Sequence, residues 1–427
     1  MTMSGYIDTY YADTLGRDKA YPALAGDIEA EVCVVGGGFA GLNTGLSLAE
    51  RGTSVAVVEA RRIGWGGSGR NAGFVAKGYA ADEGYLLKKL GKEKAQKIIT
   101  LTQNARRLIR TRIDNYKIDC GPIIGGVITA SWRDNDAELK DYVAESNGNF
   151  NTGFEFWPRD KVRESCRTDK YYGAVYSPQD YQFHPLRYVH GIARALSEKG
   201  GKIFESSPAV KIEKHGAGWI VRTAAGSVKA RHVVLCCSIY IDGLDKKLAN
   251  ASFPVQTYIM VTKPVDEALL EKSINTRCAI SDMRFCSDYY RRLDGGRVLW
   301  GGRVALWSKP ADIAGMMLED MVKVYPQLKG HAQPEYSWAG LLCYAPHKMP
   351  QLGQIEPGYW YATGFGGHGI SPTTVAGELV AAAIAEGDSA YKSFEPFGIG
   401  YAGGKLGRYV AQLVYLWWRA RDYISVG

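Results

Sequence analysis

The sequence predicts an α/β fold in which a discontinuous Rossmann-like domain is interleaved with an antiparallel, β-rich domain. Three observations support this prediction. A strand–glycine–helix–strand unit lies at residues 31–59, a second strand–glycine–helix unit lies at 359–385, and residues 254–335 between them consist mainly of strand patterns with turns. Parallel strands joined by helices are typical of α/β domains, whereas closely spaced strands with short turns are typical of antiparallel sheets.

Composition and charge limit the class of protein. The 427 residues are 46% hydrophobic and 22% charged, which is typical of a globular chain and argues against disorder. The net charge of +8 is spread along the chain rather than concentrated in a stripe, so we expect no nucleic-acid partner. The eight cysteines lack the spacing of metal ligands, so we expect no metal site. Residues 1–27 contain no signal-peptide run and nothing is apolar enough to span a membrane, so we expect a cytoplasmic protein.

The first unit of the chain is a compact βαβ arrangement. Residues 31–35 are apolar almost throughout, which predicts a short strand buried in a parallel sheet. Apolar residues recur at helical spacing over 39–51, and residues 54–58 form a second apolar run. The two strands therefore flank one helix, with glycines at the first strand–helix junction.

That junction carries a dinucleotide-binding motif. Gly36, Gly38 and Gly41 have the spacing G-x-G-x-x-G, and Glu59 ends the second strand 18 residues after Gly41. In this motif the first glycine permits the tight turn, the second lets the backbone approach a pyrophosphate, and the third lets helix and strand pack closely. We expect Glu59 to accept hydrogen bonds from ribose hydroxyls. The motif alone leaves NAD and FAD open.

The loop at residues 60–75 follows directly. Small residues crowd around Ser68 and are followed by Arg70 and Asn71, a pattern that suits a polar loop wrapped around a phosphate. A surface loop whose glycines only supply turns is the alternative.

The remaining elements follow from periodicity and turn residues. The patterns predict a helix over 93–116, a strand over 125–130, a helix over 185–199, a hairpin of 210–214 with 219–223, an apolar strand over 233–235, strands over 258–261, 289–293 and 297–300, and a strand over 359–363 before the final glycine turn and helix.

Seven segments, in order along the chain, resemble one known family. They are residues 31–42, 57–73, 183–188, 301–303, 338–340, 364–370 and 417–422. With these segments the chain resembles the D-amino-acid-oxidase-type FAD-dependent oxidoreductases, and within them the bacterial γ-glutamylputrescine oxidoreductase group.

The resemblance implies FAD, bound noncovalently, and a division of the chain into domains. It assigns residues 27–95, 170–250 and 336–395 to the FAD-binding domain, 96–169 and 251–335 to the substrate domain, and 396–427 to a C-terminal helical tail. The cofactor-binding residues that it implies are Gly36, Gly38, Phe39, Ala40, Gly41, Glu59, Ala60, Arg61, Gly66, Gly67, Ser68, Arg70, Asn71, Ala72, Gly73, Val210, Gly364, Gly366, Gly367, His368, Gly369 and Ile370.

The resemblance also implies an activity. It is oxidation of the C–N bond of a γ-glutamylputrescine-like amine by hydride transfer to flavin N5, followed by hydrolysis of the imine to an aldehyde and reoxidation of the flavin by O2 to give H2O2. Tyr289, Tyr290 and Arg291 are expected on the substrate-side wall, and His368 is expected near the flavin, so these four are the candidate catalytic residues.

Other functions stay open at this stage. An oxidase for amino acids or N-methyl amino acids, of the sarcosine or D-amino-acid type, is one alternative. Ser371 argues against it, because the sarcosine-oxidase branch has a carboxylate-binding lysine at this place. A quinone-linked, membrane-associated dehydrogenase and a flavin-binding protein without turnover are the others. Cys343 lies near the attachment cysteine of covalent-flavin relatives, although a buried strand residue is the expectation.

The C-terminal run is basic and aromatic. Leu413, Leu416 and Trp417 fit one face of a helix within residues 405–423. We expect this face to pack on the protein itself, since such a face is ordinary for a docked helix, whereas contact with a membrane interface is the alternative.

Overall fold

The computed structural model describes residues 5–16, 19–241, 243–306 and 310–426. Its α-helices are α1 (Tyr10–Asp13), α2 (Phe39–Glu50), α3 (Glu83–Leu90), α4 (Lys92–Asn115), α5 (Asp136–Phe150), α6 (Arg159–Cys166), α7 (Pro185–Glu198), α8 (Lys246–Ala249), α9 (Glu267–Glu271), α10 (Ile313–Val324), α11 (Ile370–Glu386) and α12 (Gly404–Val426).

The strands of the described residues form two sheets. They are β1 (Gly26–Val35), β2 (Val55–Val58), β3 (Phe74–Val75), β4 (Ile124–Ala130), β5 (Glu155–Trp157), β6 (Ala174–Gln182), β7 (Lys202–Phe204), β8 (Lys211–His215), β9 (Gly218–Arg222), β10 (Gly226–Leu235), β11 (Phe253–Thr262), β12 (Ala279–Asp282), β13 (Tyr289–Leu293), β14 (Arg297–Ala305), β15 (Pro334–Tyr344), β16 (Gln351–Glu356) and β17 (Tyr359–Thr363).

The first sheet has a parallel centre in the order β17-β10-β1-β2-β7. Strand β16 pairs antiparallel with β17 at one edge, and the β8–β9 hairpin pairs with β10. Because the central strands run in one direction, their carboxyl ends meet at one edge of the sheet. The chain segments that follow β1, β2, β10 and β17 therefore converge there, which is where open α/β sheets bind ligands.

Alternation along β1 places its side chains in two cores. Val32 and Val34 are fully buried in a cluster with residues of α2, α4, α7 and α11, whereas Cys33 and Val35 face a second cluster that includes Trp219 of β9. Burial on both faces explains why β1 is an almost continuous apolar run at its carboxyl half.

The second sheet has the order β15-β11-β14-β13-β12-β4-β6-β3, with β5 paired to β6. Its pairs are antiparallel except for β4 with β12. Helix α10 packs on it through Met317 and Met321, next to Tyr290 and Trp300, whose rings stack with centroids 4.0 Å apart. The α/β fold with an interleaved β-rich unit is thus confirmed.

Some elements fall across the predicted domain boundaries. Strands β3 and β6 and residues 336–344 of β15 pair within the second sheet, although the predicted division places these residues in the FAD-binding domain. Helix α4, predicted mostly in the substrate domain, buries Ile98, Ile99 and Ile109 in the core beneath the first sheet. These differences arise because antiparallel pairing between distant strands leaves no trace in local periodicity.

The start of α7 is held by a histidine. His184 is the N-cap residue, and its Nδ1 accepts the backbone N–H of Arg187 at 3.1 Å. Its Nε2 lies 3.1 Å from the hydroxyl of Thr14, and that hydroxyl donates to the carbonyl of Tyr10. Since Nδ1 accepts and the Thr14 hydroxyl is already a donor, Nε2 carries the proton and the imidazole is neutral. Burial lowers the pKa of His184 well below its ordinary value.

Helix α12 contacts the rest of the protein through polar side chains. The hydroxyl of Tyr415 accepts the N–H of Val304 at 3.1 Å, and Oε1 of Gln412 accepts the N–H of Leu306 at 2.9 Å. The buried carboxylate of Asp422 accepts the N–H of Cys286 at 2.8 Å. This side of the helix therefore supplies acceptors for backbone N–H groups.

The expectation that Leu413, Leu416 and Trp417 pack on the protein is wrong, because they lie on the other side of α12. Their exposed fractions are 61%, 44% and 57%. The polar contacts of Gln412 and Tyr415 turn the opposite face inward. Among the described residues, no helix has the length and hydropathy to cross a membrane.

Candidate functional site

One cleft of about 1910 Å³ connects the two sheets. The segments after β1, β2, β10 and β17 line one part of it, and strands β11, β14 and β15 with helix α12 line the other. The cleft thus joins the glycine motif to the β-rich wall, as a site for a dinucleotide and a small substrate requires.

The β1–α2 turn has the shape that the motif predicts. Gly36 has φ +112°, and a Cβ there would lie 2.7 Å from the carbonyl oxygen of Cys236. A Cβ on Gly41 would overlap the carbonyl oxygen of Gly36. Gly38 is the N-cap of α2 and supplies no side-chain cap, so the helix start faces the cleft with its backbone N–H groups. Such a start is suited to an anion.

Glu59 lies where β2 ends, beside this turn. Its Oε2 accepts the N–H of Gly37 at 2.6 Å and its Oε1 accepts the N–H of Arg61 at 2.8 Å. Burial is the largest effect on its pKa and raises it. Because each carboxylate oxygen has a second lone pair, Glu59 can still accept from a ribose hydroxyl.

The loop after Glu59 is built by its own polar side chains. The hydroxyl of Ser68 accepts the N–H of Phe39 at 2.9 Å and ties the loop to the start of α2. The amide of Asn71 donates to the carbonyls of Gly67 and Ser68, and its oxygen accepts the N–H of Gly73 at 2.8 Å. The loop is therefore an ordered wall of the cleft and not a simple surface turn.

Arg70 is the member of this loop that points to an anionic ligand. Its guanidinium lies 4.1 Å from the ring of Trp65, and its Nε and Nη2 are buried with no hydrogen-bond partner. Desolvation lowers its pKa. Unpaired buried guanidinium nitrogens are costly, so a phosphate of a bound dinucleotide fits this place. Arg61 lies 4.8 Å from the same ring and also lines the cleft.

A second helix start faces the cleft beyond β17. Residues 365–370 line it, Gly366 has φ +60°, and Gly369 is the N-cap of α11 without a side-chain cap. His368 is exposed into the cleft but enclosed by its walls, and this desolvation lowers its pKa. At neutral pH its imidazole is therefore uncharged.

Tyr289 is the predicted catalytic residue that the β-rich wall presents to the cleft. Its hydroxyl lies 3.0 Å from the hydroxyl of Thr257, and its ring meets Phe74 edge to face at 6.4 Å. Both of these neighbours line the cleft as well. Burial raises the pKa of Tyr289, so the phenol stays protonated.

The structure places Tyr290 and Arg291 outside the cleft, which corrects their prediction as catalytic residues. The hydroxyl of Tyr290 bonds to those of Tyr171 and Tyr325 in the core beneath the second sheet. Arg291 donates to Gln182, Tyr11 and the carbonyl of Phe183, all within the protein. Successive strand residues point to opposite faces, so Tyr290 turns away from the face of Tyr289. Arg291 shares the face of Tyr289, but these internal acceptors hold its guanidinium away from the cleft.

The predicted cofactor residues divide in the same way. Those lining the cleft are Gly36, Gly38, Phe39, Ala40, Glu59, Ala60, Arg61, Gly66, Gly67, Ser68, Arg70, Asn71, Ala72, Gly366, Gly367, His368, Gly369 and Ile370, and those outside it are Gly41, Gly73, Val210 and Gly364. Val210 is 61% exposed and its N–H donates to the carbonyl of Arg222, while the preceding Pro208 and Ala209 reach the cleft. Gly41 and Gly73 instead allow close backbone packing.

Several lining residues were not predicted from the sequence. Cys237 and Tyr240 follow β10, and the rule that ligands lie at the carboxyl ends of parallel strands could have identified them. No sequence signal marks Tyr344, Tyr415 or Trp418, which reach the cleft from β15 and α12. Cys343 lines it too, and its thiol lies 2.9 Å from the hydroxyl of Ser252.

The cations on the substrate side are already engaged. Lys77 pairs with Glu83, and burial lowers the pKa of Lys77. Arg303 donates to both carboxylate oxygens of Asp320, at 2.6 and 2.7 Å. Lys348 is exposed, with its Nζ 4.8 Å from the Trp418 ring.

Arg61 is exposed, and apart from Arg70 no buried cation among the described lining residues is unpaired. Ser371 lines the cleft with a buried, unpartnered hydroxyl. Among the described residues no group of three or more His, Cys, Asp or Glu could hold a metal ion.

Comparison with known proteins agrees with this geometry. The family described as FAD dependent oxidoreductase matches residues 31–383. The chain is 33% identical to γ-glutamylputrescine oxidoreductase of Escherichia coli K12 over 385 residues, 89% of each chain. It is also 33% identical to a probable oxidoreductase, OrdL, of Haemophilus influenzae over 396 residues, 91% of each. Glycine oxidase from Geobacillus kaustophilus has a similar fold, with TM-score 0.73 and 21% identity over 87% of this chain and 98% of that one.

Proposed function

This chain belongs to the FAD dependent oxidoreductase family, and from that premise we propose that it oxidises the C–N bond of a γ-glutamylputrescine-like amine. The observation that carries the proposal is the pairing of the substrate-side cations, Lys77 with Glu83 and Arg303 with Asp320. An α-amino acid needs a free cation for its carboxylate close to the reacting carbon. An amine without such a carboxylate needs none.

The residues that would hold FAD are those of the first-sheet edge. The starts of α2 and α11 and the unpartnered nitrogens of Arg70 offer donors to its anionic groups, and Glu59 offers an acceptor to its ribose. When bound, FAD supplies the acceptor for a hydride from the carbon beside the substrate nitrogen, and the resulting imine is hydrolysed to an aldehyde.

The protein's own contribution is orientation in an apolar pocket. Tyr289 and Phe74 form aromatic walls, and the Tyr289 phenol remains a neutral donor because burial raises its pKa. His368 adds no charge at neutral pH because its pKa is lowered. A substrate amine loses its proton more readily in such surroundings, and the neutral amine is the form that can be oxidised.

For the electron acceptor we propose O2, with H2O2 as product. A quinone-linked dehydrogenase is the second candidate, and the outward apolar face of α12 favours it. Slow reoxidation by air with recovery on addition of membranes would identify that candidate. The cytoplasmic location expected from the sequence stays a prediction.

An anaerobic absorbance titration of the FAD-loaded protein tests the substrate. The four compounds to add are γ-glutamylputrescine, putrescine, sarcosine and D-alanine. Bleaching of the visible flavin band by the γ-glutamylated amine alone is the expected result. Bleaching by sarcosine or D-alanine would contradict the proposal and transfer the protein to the amino-acid branch, with another residue in place of the lysine that Ser371 replaces.

A further inference from the structure

The rim of the cleft beside helix α12 carries a cation without an acidic partner. Lys348 lines the cleft in the turn after β15, and its side chain is exposed. Among the described residues no carboxylate forms an ion pair with it, whereas the more buried Lys77 and Arg303 are paired. Its Nζ lies 4.8 Å from the centre of the Trp418 ring, a contact that uses the charge of the ammonium but provides no acceptor for its three N–H donors. Lys348 is therefore the lining cation that can still bind an anion on the substrate side.

The backbone of this turn fixes the position of Lys348. Its φ of +58° lies in the left-handed region, which residues other than glycine rarely adopt. The N–H of Lys348 donates to the carbonyl of Ala345 at 2.9 Å, and Nδ1 of His347 accepts the N–H of Met349 at 3.1 Å. Backbone conformations of this kind are concentrated at ligand-binding sites. The turn thus agrees with a binding role for the lysine that it presents.

The rim next to Lys348 is aromatic. Trp418 and Phe285 both line the cleft, and their rings stack with centroids 5.7 Å apart and planes 17° from parallel. The carboxylate of Asp422 accepts the N–H groups of Phe285 and Cys286, at 3.1 and 2.8 Å, and so holds Phe285 in place. A flat apolar wall with a cation at its edge suits a ligand whose aliphatic chain ends in a carboxylate.

Strand β15 sets the distance between this rim and Tyr289. The hydroxyl of Tyr289 lies 3.0 Å from that of Thr257, and Thr257 pairs with Gly340 of β15. The four residues from Gly340 to Tyr344, where β15 ends, span about 13 Å, and Lys348 follows in the turn. In extended γ-glutamylputrescine, nine bonds separate the reacting carbon from the carboxylate carbon, which is about 10–11 Å. The difference is within reach of a lysine side chain.

We infer that Lys348 binds the carboxylate at the far end of the substrate, while the chain before it packs against Trp418 and Phe285. This inference rests on the proposed function and narrows its substrate class to amines with a carboxylate about nine bonds from the reacting carbon. The pairing of Lys77 and Arg303 disfavours a carboxylate next to the reacting carbon, and the free ammonium of Lys348 accepts one at the rim. A diamine without a carboxylate would leave Lys348 unused.

The test is an anaerobic titration of the FAD-loaded protein with γ-glutamylputrescine and with its α-carboxamide, which lacks the negative charge. The dependence of flavin bleaching on concentration gives an apparent Kd and a limiting rate for each compound. Lys348→Met, which keeps an apolar stem at Trp418, should raise the apparent Kd for γ-glutamylputrescine about 2- to 5-fold, as for an exposed ion pair. The limiting rate, and the apparent Kd for the carboxamide, should not change. Lys348→Arg should bind γ-glutamylputrescine like the parent.

Lys329→Met, at an exposed lysine outside the cleft, is the matched control and should bind both compounds like the parent. The flavin spectrum and circular dichroism show whether each variant is folded. An unchanged apparent Kd in Lys348→Met, or an equal rise for both compounds, would overturn the inference and leave the proposed function standing. No bleaching of the parent by γ-glutamylputrescine would overturn the proposed function and this inference together.

Discussion

Replacing Arg70 with methionine separates ligand binding from protein stability. The structure leaves Nε and Nη2 of Arg70 buried without partners in the wall of the cleft. A charge-assisted hydrogen bond contributes about 1.5–3 kcal/mol. If one such bond forms to an FAD phosphate, Arg70→Met should raise the Kd for FAD about 10- to 150-fold. The measurement is a fluorescence titration of the apoprotein with FAD.

Arg70→Met should weaken FAD binding but should not lower the stability of the apoprotein. A buried donor without a partner costs about 1–3 kcal/mol, and methionine retains an apolar stem against Trp65. The free energy of unfolding of Arg70→Met apoprotein, measured in urea, should therefore equal or exceed that of the parent. Arg107→Met, at an exposed arginine of α4, is the matched control and should change neither quantity. Lower apoprotein stability with an unchanged Kd for FAD would refute the reasoning, because Arg70 would then be structural.

Three further predictions follow from single contacts. Burial lowers the pKa of His184 in the folded protein, so below about pH 6.5 the unfolded chain takes up a proton that the folded protein does not. The free energy of unfolding should therefore decrease as the pH is lowered through this range, by up to about 1.4 kcal/mol per pH unit. In His184→Asn, which keeps an N-cap, urea midpoints between about pH 7.5 and 5.5 should lose that part of the slope, and an unchanged slope would contradict the assignment. In Gly36→Ala the new Cβ would lie against the carbonyl oxygen of Cys236, at a φ of +112°. The substitution should therefore lower the free energy of unfolding by about 1–3 kcal/mol and reduce the FAD content of the purified protein. Full retention of FAD would contradict the role of the tight turn. Tyr289→Phe should slow anaerobic bleaching of the flavin by substrate without loss of FAD. Tyr290→Phe should lower the free energy of unfolding by about 1 kcal/mol and leave the bleaching rate unchanged. The reverse pattern would show that Tyr290, and not Tyr289, faces the substrate.

The parts of the site that sequence could predict are those built from consecutive residues. Gly36, Gly38 and Glu59 belong to one strand–turn–helix–strand unit, and their spacing predicted both the turn and its position in the cleft. Asn71 stabilises its loop through hydrogen bonds to residues within four positions of itself. Local geometry of this kind is encoded by local residue types, so it can be derived before any tertiary contact is known.

The direction in which individual side chains point was harder to predict from the sequence. Tyr289 and Tyr290 are adjacent in the same strand, yet one lines the cleft and the other lies in a core. The charged side chain of Arg291 donates hydrogen bonds to buried acceptors from distant parts of the chain. Val210 was expected at the cofactor and instead lies exposed at the start of a hairpin. A single sequence shows alternation but does not say which of two faces meets the ligand.

The sequence by itself determined the α/β class, the dinucleotide motif and the family to which the chain belongs, because these depend on periodicity and on residues at fixed short spacings. Tertiary structure decided which strands pair across the predicted boundaries, which cations are paired in the cleft, and which side of α12 faces water. Each of these depends on partners far apart in the chain, such as Arg303 with Asp320 or Tyr415 with Val304. The outward face of α12 is the clearest case, since its periodicity predicts an amphipathic helix but only the contacts of its polar side show the apolar side turned away from the protein.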